Sequence, residues 1–176
     1  PLAAGTEIGP IASKTHMERI LSFVDHADKD GDRLIGGGQR RTSLGDGYFI
    51  DPTAVVAKSN ASTICQSEIF GPFASFLKFK TEDEAIAMAN DTEFGLVSYI
   101  WSDHLPTVMN VSENMRSGVV WVNTPLTREL RAPFGGYKNS GVGREGGHSC
   151  EEFYTEEKTI TIPKQPLKLF KLGNAS

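Results

Sequence analysis

The run TEDEAIAMANDTEFGLVSYIWSDHLPTVMNVSENMRSGVVWV, residues 81–122, alternates two helical patterns with two strand patterns. Thr81 and Glu84 form a capping box, in which the threonine oxygen takes a free backbone N–H of the first helical turn and the glutamate reaches back. Ala85, Ile86, Met88 and Ala89 follow, so the spacing predicts a short helix over 82–90. Gly95 interrupts the pattern, and residues 96–101 are the apolar, β-prone kind that suits a strand. Asp103 is then the expected N-cap, with Pro106 in the first turn and Leu105, Val108, Met109 and Val111 on the buried side of a helix ending near Met115. Val119, Val120, Trp121 and Val122 close the run as a buried strand. Strands joined by helices run parallel, with the helices covering the sheet.

The same alternation continues outward. Ser13 is a good N-cap for a helix carrying Met17, Ile20, Leu21, Val24 and Ala27 on one face, and Gly31 ends it. A strand is expected at 33–35, a polar glycine-rich loop over 36–47, and extended segments at 48–50 and 53–57, separated by Pro52. After a polar turn at 58–62, residues 73–79 read as a strand. Beyond the central run, 158–162 alternates as a last strand, and the tail after Pro163 is polar and rich in lysine. The expected fold class is α/β, an open, largely parallel sheet covered by helices.

Composition narrows the function. The chain has 176 residues, 39% hydrophobic and 23% charged, the size and balance of one globular domain. Its net charge is -4 and its basic residues are scattered, which argues against nucleic acid and for a small-molecule partner. No apolar run approaches the roughly 18 residues of a membrane helix, so no membrane partner is expected. Cys65 and Cys150 lie far apart without CxxC spacing or a histidine cluster, arguing against a disulfide framework or a zinc site and for a reducing, cytoplasmic setting. The chain opens at Pro1 without methionine, which suggests a piece of something longer.

Residues 123–147 break the regularity with glycines, Pro125, Pro133 and basic side chains, and long loops of this kind are usually functional. Gly141, Gly143 and Gly146 match the letters GxGxxG, but a long polar loop precedes them where the dinucleotide motif requires a strand and a tight turn. A turn-rich loop is the better reading. Cys65 and Cys150 read as structural; His148, two residues from Cys150, is the nearest base. Glu68, in SEIFGP, is a carboxylate able to accept from sugar hydroxyls, or a solvated loop residue. Arg128 and Arg131, flanked by Leu126 and Leu130, suit recognition of a substrate carboxylate through paired hydrogen bonds; solvated loop arginines are the alternative.

Taken together, these stretches resemble the C-terminal part of the NAD(P)-dependent aldehyde dehydrogenases. IGPIASKTHMERI, GYFIDPT (47–53), EIFGP (68–72), FKTEDEAIAMANDTEFGL (79–96), GVVWVN (118–123) and PFGGYKNSGVGREGG (133–147) occur in the family's order. Phe94 replaces the usual tyrosine and Ser67 the usual first glutamate of EEIFGP. The resemblance covers nearly the whole chain. It implies that a cysteine thiolate attacks an aldehyde, hydride passes to NAD or NADP, and water activated by a glutamate releases a carboxylic acid.

Carried over by position, Glu68 binds the nicotinamide ribose, Phe70 packs near the nicotinamide and Phe134 lines the substrate tunnel. RELRAPFGG is similar to the aminomuconate and hydroxymuconate semialdehyde dehydrogenases, where an arginine at the position of Arg128 meets the substrate's carboxylate. The nucleophilic cysteine, the base glutamate and the dinucleotide domain have no counterpart in this sequence, so no catalytic residue is assigned and the chain by itself is expected to be inactive. The resemblance divides it into a partial catalytic domain (1–157), an oligomerisation strand (158–162) that joins a partner subunit in a homo-oligomer, and a tail (163–176). Two alternatives stand beside this reading: a dehydrogenase for neutral aldehydes, and a non-catalytic oligomerisation module.

Overall fold

The computed structural model describes residues 2–167 and Gly173. Helix α1, Lys14–Asp30, starts where Ser13 Oγ accepts from the His16 N–H and stops at Gly31, whose φ of 77° is the left-handed conformation that favours glycine. It buries Met17, Ile20, Phe23 and Ala27; Leu21 and Val24 are half-buried, so Phe23 rather than Val24 fills the inner position.

Strands β1 (Arg33–Gly36) and β2 (Thr53–Val56), the short helix α2 (Thr63–Gln66) and strand β3 (Phe73–Phe76) complete the first half. The sheet order is β1-β2-β3, with β2 antiparallel to β1 and parallel to β3. Met17, Ile20, Phe23 and Ala27 of α1 pack with Val55, Ala57, Ile64 and Ile69 into the core. Ile20 is 1% exposed, and Ile20→Ala should cost about 3 kcal/mol of stability. Urea unfolding of the chain measures it, with the midpoint falling at constant slope.

The second half comprises α3 (Glu82–Asn90), β4 (Phe94–Gly95), β5 (Val97–Ile100), α4 (Leu105–Asn114), β6 (Val119–Val122), β7 (Tyr137–Lys138) and α5 (Ser149–Tyr154). Thr81 caps α3, its Oγ1 accepting from the Glu84 N–H at 3.2 Å, while Glu84 reaches back past the cap, its Oε2 accepting from the Lys80 N–H at 2.6 Å. β5 and β6 pair in parallel from Val97↔Val119 to Ile100↔Val122. β4 and β7 pair antiparallel.

Two expectations need correction. The strands do not form one largely parallel sheet; among the described residues they form three small open sheets, giving a mixed α/β fold. β1 reaches β2 through a loop with no crossover helix, so that pair runs antiparallel. The helix after Trp101 is capped at His104 rather than Asp103, and its Leu105 and Met109 are exposed because no described element covers that side. Residues 158–162 pair with no other strand among the described residues, and Ile160 and Ile162 are exposed. The expected tail over 163–176 lies partly outside the described residues. No helix among the described residues is long and apolar enough to cross a membrane.

Candidate functional site

The EIFGP stretch is the loop from α2 to β3. Ile69, 8% exposed, anchors it in the core, leaving Glu68 and Phe70 on either side exposed. Phe70 has a φ of 59°, a left-handed backbone that a bulky residue adopts only when its surroundings impose it. Those surroundings are α1: Arg19 donates to the carbonyls of Glu68 (2.8 Å) and Ile69 (2.9 Å), and His16 Nε2 lies 2.8 Å from that of Phe70. The Glu68 carboxylate itself has no hydrogen-bond or ion-pair partner among the described residues. It borders a cavity of about 290 Å³ together with Arg116, Ser117 and Ser140.

The loop after β6 is pinned at several points. Lys138, at a φ of 53°, donates from Nζ to the carbonyls of Asn90 (2.7 Å) and Thr92 (2.9 Å), and Ser140 Oγ accepts from the Gly95 N–H at 2.9 Å. Phe134 and Glu145 exchange backbone hydrogen bonds of 2.7 and 2.8 Å. Phe134 therefore lines a second cavity, of about 230 Å³, and Leu96 and Ser140 border both cavities. The structure thus places Glu68 and Phe134 in neighbouring hollows, while Phe70 lies outside both on the outer edge of its loop.

Arg128 stacks on Phe134, with its guanidinium carbon 4.5 Å from the ring centroid, and pairs with the Glu145 carboxylate. Leu126 and Leu130 are exposed, so the apolar neighbour of Arg128 is the Phe134 ring. Arg131 is arranged differently. Its Nε and NH2 donate to Glu129 at 2.8 and 2.9 Å, and its side chain is 87% exposed. Side-chain and backbone hydrogen bonds from Arg131 hold the Glu129 carboxyl down at about 2. The geometry therefore separates two arginines that look equivalent in sequence: Arg128 belongs to the candidate site and Arg131 to a local surface pair.

Two of the three glycines of GxGxxG, Gly143 and Gly146, serve packing. A Cβ on Gly143 would lie 2.2 Å from the Phe153 ring, and one on Gly146 2.6 Å from the Ala132 carbonyl oxygen. Both therefore face the protein's own chain, with none of the strand–turn–helix geometry that cradles a pyrophosphate. Burial, reinforced by the nearby charge of Asp32, pushes the Cys65 thiol up, which keeps it protonated and unreactive. Cys150 Sγ accepts from the Gly146 N–H at 2.9 Å, a packing role. Among the described residues no group of three or more His, Cys, Asp or Glu could hold a metal ion.

Residues 1–160 match the aldehyde dehydrogenase family. The chain belongs to that family. It is similar to the 2-aminomuconic semialdehyde dehydrogenase of Bos taurus, 38% identical in an alignment of 167 positions that covers 92% of this chain and 34% of that protein. It is likewise similar to the betaine aldehyde dehydrogenase of Cereibacter sphaeroides, 36% identical over 95% of this chain and 34% of that one. Among solved structures, the Mycobacterium tuberculosis aldehyde dehydrogenase complexed with NAD+ superposes with a TM-score of 0.84 and 37% identity, covering 92% of this chain and 33% of that chain. The chain thus spans about a third of the length of the dehydrogenases it matches.

Reading the sequence of this aldehyde dehydrogenase chain missed Glu145, the partner of Arg128, because the pair is 17 positions apart in a loop without periodicity. It also missed His16 and Arg19, which stand on the outer face of an amphipathic helix where solvated side chains are the norm.

Proposed function

We propose that this chain forms one wall of the cofactor and substrate sites of a complete dehydrogenase that oxidises a carboxylate-bearing aldehyde to a carboxylic acid with NAD or NADP. The observation that carries the substrate half is the stacking of Arg128 on Phe134, which holds a cation against a ring that lines the second hollow. A guanidinium held in this way suits a carboxylate through two charge-assisted hydrogen bonds, and it disfavours a cationic aldehyde of the betaine type by like-charge repulsion.

For the cofactor half, Glu68 presents two acceptor oxygens with no partner among the described residues, at the edge of a hollow of mixed polar and apolar lining. That pair of acceptors fits the paired hydroxyls of a ribose, which donate to it. NAD or NADP, when bound, supplies the hydride acceptor. Glu68 would hold the ribose and Phe70 would pack beside the nicotinamide, while Phe134 bounds the aldehyde's path. Cys65 and Cys150 do not serve as nucleophile, so the chain alone is inactive in this reading. Residues 1–157 belong to the catalytic domain, and 158–162 supply a strand to a partner subunit, which would cover the two isoleucines exposed here.

A second reading, a dehydrogenase for neutral aldehydes, draws on the Arg128–Glu145 pair, which leaves that part of the loop without net charge. The two separate in the complete enzyme assayed with aldehydes of matched length, with and without a terminal carboxylate, while NADH or NADPH is followed. The expected preference for the carboxylate-bearing member is about tenfold or more in kcat/KM. Equal values would overturn the first reading in favour of the second.

A further inference from the structure

We infer that Arg19, assisted by His16, is a positioning residue for the Glu68 carboxylate: α1 clamps three consecutive loop carbonyls and so sets the direction in which Glu68 meets the cofactor. This rests on the reading of Glu68 as the ribose acceptor.

Successive carbonyls of a strand point to opposite sides, and those of a helix point along its axis. Here the carbonyls of Glu68, Ile69 and Phe70 all accept from one helix face, through Arg19 NH2 at 2.8 Å, Arg19 NH1 at 2.9 Å and His16 Nε2 at 2.8 Å. That arrangement needs the left-handed backbone of Phe70, at a φ of 59°. A phenylalanine does not hold such a conformation unaided, so something must impose it. Two features do. The planar fork of a guanidinium fits two adjacent carbonyls at once, which a lysine ammonium cannot match. The loop is also pressed against α1: a Cβ on Gly71 would lie 2.5 Å from Ile20 Cδ1, so a larger residue there would have to displace that buried side chain.

The ordinary account of a helix-surface arginine is a solvated charge or an ion pair within the helix. Arg19 has no carboxylate partner among the described residues, and its guanidinium is braced over the Phe23 ring at 5.2 Å. Its guanidinium hydrogen bonds reach 49 and 50 positions along the chain, both to the loop that carries Glu68. With Ile69 buried and the carbonyls drawn toward α1, Glu68 is left on the exposed side of the loop, where its carboxylate is free to accept.

Steady-state kinetics of the complete enzyme, with NAD varied at saturating aldehyde, tests the inference. Arg19→Met should raise the KM for NAD about tenfold, with kcat within about twofold and the aldehyde KM unchanged, as expected when a ground-state contact is misaligned. Arg19→Lys should recover part of the loss, because one ammonium reaches one carbonyl; it also serves if the methionine variant is poorly folded. Arg19→Met combined with Glu68→Gln should be no worse than Glu68→Gln alone, since the arginine acts through the carboxylate. A lower melting temperature with an unchanged NAD KM, or additive losses in the double variant, would overturn the positioning role alone. If Glu68→Gln itself leaves the NAD KM unchanged, the ribose reading falls and takes this inference with it.

Discussion

Replacing Arg128 by leucine in the complete enzyme should lower kcat/KM for carboxylate-bearing aldehydes about 100-fold and leave neutral aldehydes within about twofold. A factor of 100 corresponds to about 2.7 kcal/mol of transition-state stabilisation, which lies within the roughly 1.5–3 kcal/mol ascribed to a hydrogen bond to a charged group. Leucine keeps an apolar side chain against the Phe134 ring, so the hollow stays lined while the charge is lost. Glu145 already occupies the guanidinium, and the magnitude of that pairing matters. Both partners are about half exposed, and a solvent-exposed ion pair of this kind contributes only about 0–1 kcal/mol. A substrate carboxylate arriving in a more enclosed site can therefore displace it. Equal losses on all aldehydes would mean that Arg128 shapes the loop without recognising charge.

Gly118→Ala should be at least as damaging, through backbone contact. A Cβ at that position would lie 1.6 Å from the carbonyl oxygen of Gly135 and 2.8 Å from its carbonyl carbon, so no side-chain rotation relieves the clash. Neither partner is free to retreat. Gly118 donates to the Gly95 carbonyl at 3.0 Å and leads directly into the β5–β6 ladder, while Gly135 follows Phe134, which is bonded to Glu145. The expected cost is about 3 kcal/mol of stability, the range of severe overpacking. Because the strain falls on the loop that carries Phe134, the complete enzyme should also show a raised aldehyde KM. Gly9→Ala is the control: nothing lies within 4 Å of its added Cβ, so it should stay within about 0.5 kcal/mol of the parent in the same urea titration. If the two variants unfold together, the PFGG loop does not rest on the start of β6.

Much of this architecture is written in local signals. Ser13 and Gly31 bound α1, and Thr81 with Glu84 starts α3, because cap chemistry acts within one turn and is complete in a few adjacent residues. The β-branched run at 119–122 is a strand for the same reason of local preference. Helix α2 escaped notice because four residues are too few to show a period. The apolar face read into α4 is present in the sequence but remains open at Leu105 and Met109, since a periodic pattern states what a helix could bury and not whether a neighbour is there.

Sequence by itself determined that the chain is α/β, that Glu68 and the 123–147 loop are its candidate site, and that it resembles an aldehyde dehydrogenase; residue type, cap and motif order carry that information. Tertiary structure alone decided the rest. It split the strands into small mixed sheets, gave Arg128 to Phe134 and Glu145 while Arg131 turned to Glu129, and joined α1 to the Glu68 loop through Arg19. The physical reason is range: hydrogen bonds and stacking depend on distances of a few ångströms in space, and residues dozens of positions apart meet only once the whole chain has folded.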